Sequence, residues 1–293
     1  MTIAAGILCA DGIVICSDSQ ETYGDFKWPV KKLVFPRTSL GDFSILIAGA
    51  GFASAIDAAA QKIFDRTAML APTYEQTLRI IQDVLREVHE KDLANYPTND
   101  KGSLQFRLLI AFSSGGNGGL FITDGSLLTR VDSYAILGAP EVTRFFAEML
   151  YRKTIFENPD IGCAEGAVLA TFLVHLAKAQ MVTIGGKPQL AMITAEGIRF
   201  ANVWESPALE QIFERCLKIG AELVLECANP HFSEKDFAAS LKEHALVLRK
   251  MKRAIVKKRK DWDKLWQDYK EVGGMLLGHS PMQSDAQMSV DQP

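Results

Sequence analysis

What most limits the fold of this chain is the order in which its periodicities change. Two short runs rich in β-branched residues, TIAAGILC and IVICSDS, flank Ala-Asp-Gly, which is a hairpin turn signal. After the turn-prone ETYGDFKWP, the runs VKKLVF and FSILIAGAG read as two more strands, the second ending in glycines before an alanine-rich helical stretch at about residues 52–66. A second helix, at about residues 74–91, sets Leu78, Ile81, Leu85 and Val88 on one face and charge on the other. LQFRLLIAFS, GGLFITD and LLTRVDSYAILG return to strands. Helical stretches follow at about residues 140–152 and 163–180, and QLAMIT and IRFANV close the series. Strands alternating with paired helices fit two stacked sheets covered on their outer faces, because each sheet must bury its apolar surface. The expected class is α+β: a four-layer αββα sandwich of two antiparallel sheets flanked by helices, with a C-terminal helical extension.

The extension begins where strand patterning stops. Residues 2–204 hold the sandwich pattern, and residues 205–274 are helical in period, ending in the long, basic, Trp-containing FAASLKEHALVLRKMKRAIVKKRKDWDKLWQDYKEV. Its apolar stripe of Leu248, Met251, Ile255, Trp262 and Leu265 reads as a face turned to a partner or to the core rather than to nucleic acid. Residues 275–293 have few large apolar side chains and read as disordered.

Composition removes several classes of function. A formal net charge of −3 and a pI near 6.0 give no field that would draw the chain to nucleic acid or an anionic membrane. The five cysteines are scattered through apolar runs, which suits reduced core thiols and a cytoplasmic setting better than a disulfide frame. No apolar run approaches the roughly 18 residues of a spanning helix, so no membrane segment is expected. His89, His175, His231, His244 and His279 have no ligand spacing with Cys or acids, so neither metal nor cofactor is expected. The glycine-rich SSGGNGG precedes a strand rather than a helix, unlike a phosphate cradle.

The chemistry concentrates at the start. Met1 is followed by Thr2, small enough for Met removal, and a Thr with a free α-amine carries its own nucleophile and base. An α-amine with an ordinary pKa of about 7.7–8.0 is partly neutral near pH 7 and can accept the hydroxyl proton. Asp18 ends the second strand, and one of the adjacent Lys31 and Lys32 must face inward, which is costly unless the charge is paired.

In order and spacing, TIAAGILCADGIVICSDSQET, VKKL and LIAGAG resemble the opening of proteasome β subunits and bacterial proteasome-like peptidases, the N-terminal nucleophile hydrolases. The resemblance runs from about Thr2 to Val203, with YAILGAPE, VTIGGKPQLAMIT and EGI falling at the family's glycine turns and closing strands. It implies Thr2 as nucleophile, Asp18 as the acid, Lys32 as the lysine and Gly49 as the oxyanion-binding glycine. Lys32 as a nearby cation would favour the deprotonated hydroxyl, and Asp18 would hold that lysine charged. Thr22 falls on the segment that pairs with an extended peptide, while Glu21, Val30, Ile47 and Gly51 fall near the side-chain pocket. The implied activity is that of a threonine-type peptidase in a homo-oligomer, on peptide or unfolded-protein substrates, with an unfolding ATPase as a candidate partner.

Two turns depart from the pattern. Leu137-Gly138-Ala139 lacks the serine the family often has there, and Met181 to Gly186, MVTIGG, lacks both the acid and the serine of the second turn. Those groups hold the α-amine and a water, and poorer orientation lowers rate steeply. A catalytically inactive structural subunit is therefore one alternative, and a small-molecule amidase on the same fold is another.

Overall fold

The computed structural model describes residues 2–23, 26–36, 42–68, 72–97, 104–138, 160–200 and 206–273. The chain divides into two compact units, one ending at Glu214 and the other beginning at Arg215.

In the first unit, β1 (Ala4–Cys9) and β2 (Gly12–Ser17) form the expected hairpin, paired from Ala4 against Ser17 to Cys9 against Gly12. A Cβ on Gly12 would lie 2.1 Å from the Ile193 carbonyl oxygen, so the strand after this turn admits only glycine. The next elements are β3 (Gln20–Tyr23), β4 (Phe26–Pro29), β5 (Leu33–Val34) and β6 (Ser44–Gly51). Then come β7 (Phe106–Ser114), β8 (Asn117–Asp124), β9 (Leu127–Val131), β10 (Tyr134–Leu137), β11 (Gln189–Thr194) and β12 (Gly197–Phe200). One antiparallel sheet has the order β10-β1-β2-β11-β12, the other β5-β6-β7-β8-β9, and β3 pairs with β4 alone.

Alternation decides which residues meet. Ala4, Ile13, Ile15, Ala191 and Ile193 of the first sheet pack against Leu46, Ala48, Leu109, Ala111 and Leu120 of the second. Gly6 makes this close approach possible, since a Cβ there would touch Leu109 and Leu120 at 3.0 Å. The outer face of the second sheet is covered by α1 (Ala53–Ala68) and α2 (Tyr74–Glu87), through Ile45, Ile47, Ala59, Ile63, Ile81, Leu85, Leu108 and Phe112. Thr73 and Gln76 form a capping box that satisfies the free N–H groups at the start of α2. On the first sheet lies α3 (Cys163–Gln180), whose Gly166 meets Cys9, Val14 and Ile7. Helices, sheet, sheet and helix make the four-layer αββα sandwich anticipated from the order of elements.

Local details differ from the sequence expectation. ETYGDFKWP is largely a hairpin, β3–β4, and not a bare turn. The strand expected over VKKLVF is a ladder of two residues, Leu33 and Val34, with both lysines outside it. The helix expected to residue 91 turns π-helical over Val88–Leu93. The helix expected at residues 140–152 lies outside the described residues.

The helix α4 (Ser206–Ala228) is followed by α5 (Glu234–Gly273). Within the second unit Ser233 accepts the Asp236 N–H at the start of α5, and Ser240 donates to the Glu226 carboxylate on α4. The tail expected to be disordered, residues 275–293, lies outside the described residues. No helix among the described residues is long and apolar enough to cross a membrane.

Candidate active site

The β1–β2 pairing does not stop at Ala4. Asp18 N–H donates to the Ile3 carbonyl at 3.1 Å, and Ile3 N–H donates to Asp18 Oδ1 at 3.0 Å, so the peptide joining Thr2 to Ile3 is fixed by the acid opposite it. Asp18 Oδ2 accepts the Gln20 N–H at 3.3 Å. Lys32 Nζ reaches both oxygens, at 3.0 and 2.9 Å. Asp18 is wholly buried and the Lys32 side chain is 10% exposed. A carboxylate without solvent is tolerated here because a cation and two N–H groups take its lone pairs. Lys32 Nζ and Ile3 N share Asp18 Oδ1, so they stand no farther apart than those two bonds allow.

The two lysines part as expected, although no strand separates them. Lys31 is exposed, its ammonium 3.9 Å from the centre of the Phe35 ring, while Lys32 turns inward. The Lys32 backbone is held from the other sheet: Gln189 Oε1 accepts N–H from Lys32 at 2.8 Å and from Leu33 at 3.0 Å, and Gln189 Nε2 donates to the Val30 carbonyl at 2.7 Å. The ladder that follows pairs Leu33 with Ala48 and Val34 with Ile47, so Lys32 immediately precedes the residue paired with Ala48, the neighbour of Gly49.

Gly49, the glycine the resemblance assigns to the oxyanion, lies inside β6, before the strand ends at Gly51. Ile56 of α1 fills its missing side chain, since a Cβ would fall 2.4 Å from Ile56 Cγ2. The neighbouring Ala50 faces the other way: the point where Gly138 would carry a Cβ is 3.0 Å from Ala50 Cβ and 2.0 Å from the Thr2 carbonyl oxygen. Gly138 has φ +76°, and no other residue fits there. Thr2, half-buried, thus sits among Asp18, Gly138 and the glycine-rich end of β6.

The second glycine turn closes on the same strand end. Gly185 O accepts the Ser19 N–H, and a Cβ on Gly186 (φ +74°) would lie 2.4 Å from Ser19 Oγ. Ile184 is buried where the resemblance implies a serine, and Met181, where it implies an acid, caps α3.

Of the residues expected near a substrate, Glu21 and Thr22 lie on β3, paired with Trp28 and Lys27 of β4. Glu21 accepts the Trp28 Nε1–H at 3.3 Å. Burial, and then the Glu21 charge, raise the carboxyl pKa of Asp57 on α1, so the two acids share one neighbourhood. Val30 N–H donates to the Ser19 carbonyl at 2.8 Å. Gly51 ends β6 at φ +113°, where a Cβ would meet the Gln105 carbonyl at 2.3 Å. Ile47 stands apart, wholly buried in the core beneath α1. Gln189 escaped the sequence reading, and Gly138 was read as a turn lacking a serine without its contact to Thr2. Gln189 left one trace: a polar residue in phase with the inward Ala191 and Ile193 of its strand. Among the described residues no group of three or more His, Cys, Asp or Glu is placed to hold a metal ion.

No protein-family model and no curated protein matches this sequence. Solved structures do match, through the arrangement of sheets and helices. The fold is that of the Anbu structures. The helical assembly of the Anbu complex from Pseudomonas aeruginosa superposes with a TM-score of 0.65 at 15% identity, covering 80% of this chain and 99% of that one. Anbu from Yersinia bercovieri, described as an ancestral β-subunit, gives 0.61 at 14% identity over 78% of this chain and 97% of its own. The Gly-1 mutant of Anbu from Hyphomicrobium sp. strain MC1 gives 0.62 at 16% identity, over 76% and 97%. At such identities the likeness to Anbu is one of fold.

Proposed function

We propose that this chain is a threonine-type N-terminal nucleophile hydrolase that cleaves peptide bonds once Met1 is removed. The observation that carries the reading is Lys32, gripped by both oxygens of a buried Asp18 whose Oδ1 also binds the N–H of the peptide after Thr2. The Thr2 α-amine takes the proton of Thr2 Oγ1 as that oxygen attacks the scissile carbonyl carbon, with the fixed Lys32 cation favouring the charged nucleophile. Negative charge gathers on the former carbonyl oxygen, where the Gly49 N–H is the donor assigned by the resemblance. The ammonium returns its proton to the leaving amine as the C–N bond breaks, giving a Thr2 ester; water then attacks the ester carbon while the α-amine takes its proton, and that proton passes to Thr2 Oγ1 as the ester bond breaks and the carboxylic acid leaves. By analogy with the assembled Anbu complex, the working form is a homo-oligomer.

The test is the mass of the intact protein before and after a peptide epoxyketone, which closes a ring using both the hydroxyl and the amine of one terminal residue. Loss of Met1 followed by a single adduct is expected, and Thr2→Ala should abolish the adduct. Retention of Met1 on the folded protein removes the reading. A second reading, a non-catalytic subunit of the same fold, is favoured by the Leu137-Gly138-Ala139 turn and the buried Ile184, which lack the serines the resemblance implies, and by Met181, which stands in place of the acid. Complete processing with no adduct would decide for it.

A further inference from the structure

We propose that Gln189 is the positioning residue for Lys32, a clamp that sets the lysine against Asp18 from the opposite sheet. The segment it holds lies between two short paired elements. Upstream, β3 and β4 pair only with each other, and downstream β5 is two residues long. Backbone groups outside a ladder still need partners, and one primary amide supplies three here: it accepts from Lys32 N–H and Leu33 N–H and donates to Val30 C=O. A carboxylate of the same length would keep both acceptances and lose the donation, and Asn would fall one methylene short.

The clamp also closes a ring. Gln189 pairs with Ser17 in the β11–β2 ladder, Asp18 follows Ser17, Asp18 binds Lys32 Nζ, and the Lys32 backbone returns to Gln189. The residue that fixes where Lys32 starts is thereby registered to the strand that fixes where its ammonium ends. Only the catalytic meaning of this ring rests on the function proposed above.

The experiment compares Gln189→Met, Gln189→Asn and Gln189→Glu in the full chain. Its first readout is modification of Lys32 relative to Lys31 by acetic anhydride, followed by fragment mass spectrometry. Lys31 is the exposed neighbour that corrects for reagent and digestion. With three ordinary hydrogen bonds removed, the Lys32-to-Lys31 ratio should rise about tenfold in Gln189→Met. Gln189→Glu, keeping both acceptances, should stay close to wild type. A folded Gln189→Met with an unchanged ratio overturns the proposal, and if that variant does not fold the same criterion applies to Gln189→Asn. The second readout is the pH at which epoxyketone adduct formation is half-maximal, which should move up by about half a unit as the cation loosens and the amine holds its proton more firmly. A destabilised core alone would leave this midpoint in place, and an unmoved midpoint in a folded variant that still forms the adduct limits Gln189 to a structural role. If Thr2→Ala still forms the adduct, the proposed chemistry fails while the labelling ratio continues to judge the clamp.

Discussion

At Asp18 a single carboxylate holds a lysine and two backbone N–H groups without solvent, so its neighbours are unequal in importance despite similar composition. Removing one partner of a buried pair leaves an uncompensated charge, at about 3–5 kcal/mol. Lys32→Ala should therefore lower the unfolding free energy by that order and abolish the adduct, whereas Lys31→Ala, with its ammonium on an exposed face, should shift stability by about 0.5–1 kcal/mol and leave the adduct intact. Urea denaturation with intact mass would check both, and equal effects would place the lysine's role elsewhere. Gly138→Ala drives a methyl group to within 2.0 Å of the Thr2 carbonyl oxygen at positive φ, so it should slow adduct formation while distant core markers stay native by NMR. His175 offers a different measurement. Burial lowers its pKa, the Glu210 and Glu214 charges pull it partly back, and Lys178 lowers it further. Because the folded value lies below the unfolded one of about 6.5, the folded chain binds fewer protons in that window, so stability is full above it and falls as pH drops through it. Urea midpoints at pH 7.5 and 5.5 should differ more in the native protein than in His175→Leu.

At the scale of elements, packing against a neighbour is what periodicity cannot report. Gly49→Ala should destabilise the strand by about 1–3 kcal/mol through contact with Ile56, and Ile56→Ala in the same chain should recover most of it. A double-mutant cycle by urea denaturation would show a coupling near zero if strand and helix are not in contact. The same limit explains what the sequence could and could not disclose. The β1–β2 hairpin and β6 were legible as short apolar, β-branched runs bounded by turn residues, α3 as a long apolar run, and α2 as a helix with one covered face. The β3–β4 hairpin was not, since every residue of β4 is exposed, Phe26 and Trp28 included, and no buried face marks that strand's period. Ile47 could not be assigned a side because β6 is buried on both faces, where alternation disappears. Thr2, Asp18 and Lys32 were legible from their order along the chain, yet Gln189 lies 157 residues from the lysine it holds, and no local pattern spans that distance. Lys32 itself was expected in a strand because its neighbours are apolar, and the ladder is short because a side chain replaces it.

For the whole molecule, the second unit leaves Leu217, Val224 and Leu225 of α4 and Leu241, Leu246 and Leu248 of α5 exposed, more apolar surface than isolated helices usually present to water. Assembly of copies would cover such a face at about 25 cal/mol per Å² of apolar area. Replacing Val224 and Leu225 together by Glu should reduce the mass seen by light scattering while circular dichroism stays native, and an unchanged mass would remove this face from the assembly. The long reach between Lys32 and Gln189 has a consequence in time. A ribosome adding roughly 5–20 residues per second needs roughly 8–30 s to travel the 157 residues between them. Throughout that interval the nascent chain has its lysine and its threonine but not the amide that holds the Lys32 backbone. On the chemistry proposed above, only a chain that has delivered β11 to β2 would hold the Lys32 cation in place, so the order of synthesis would itself delay hydrolysis until the emerging segments have folded.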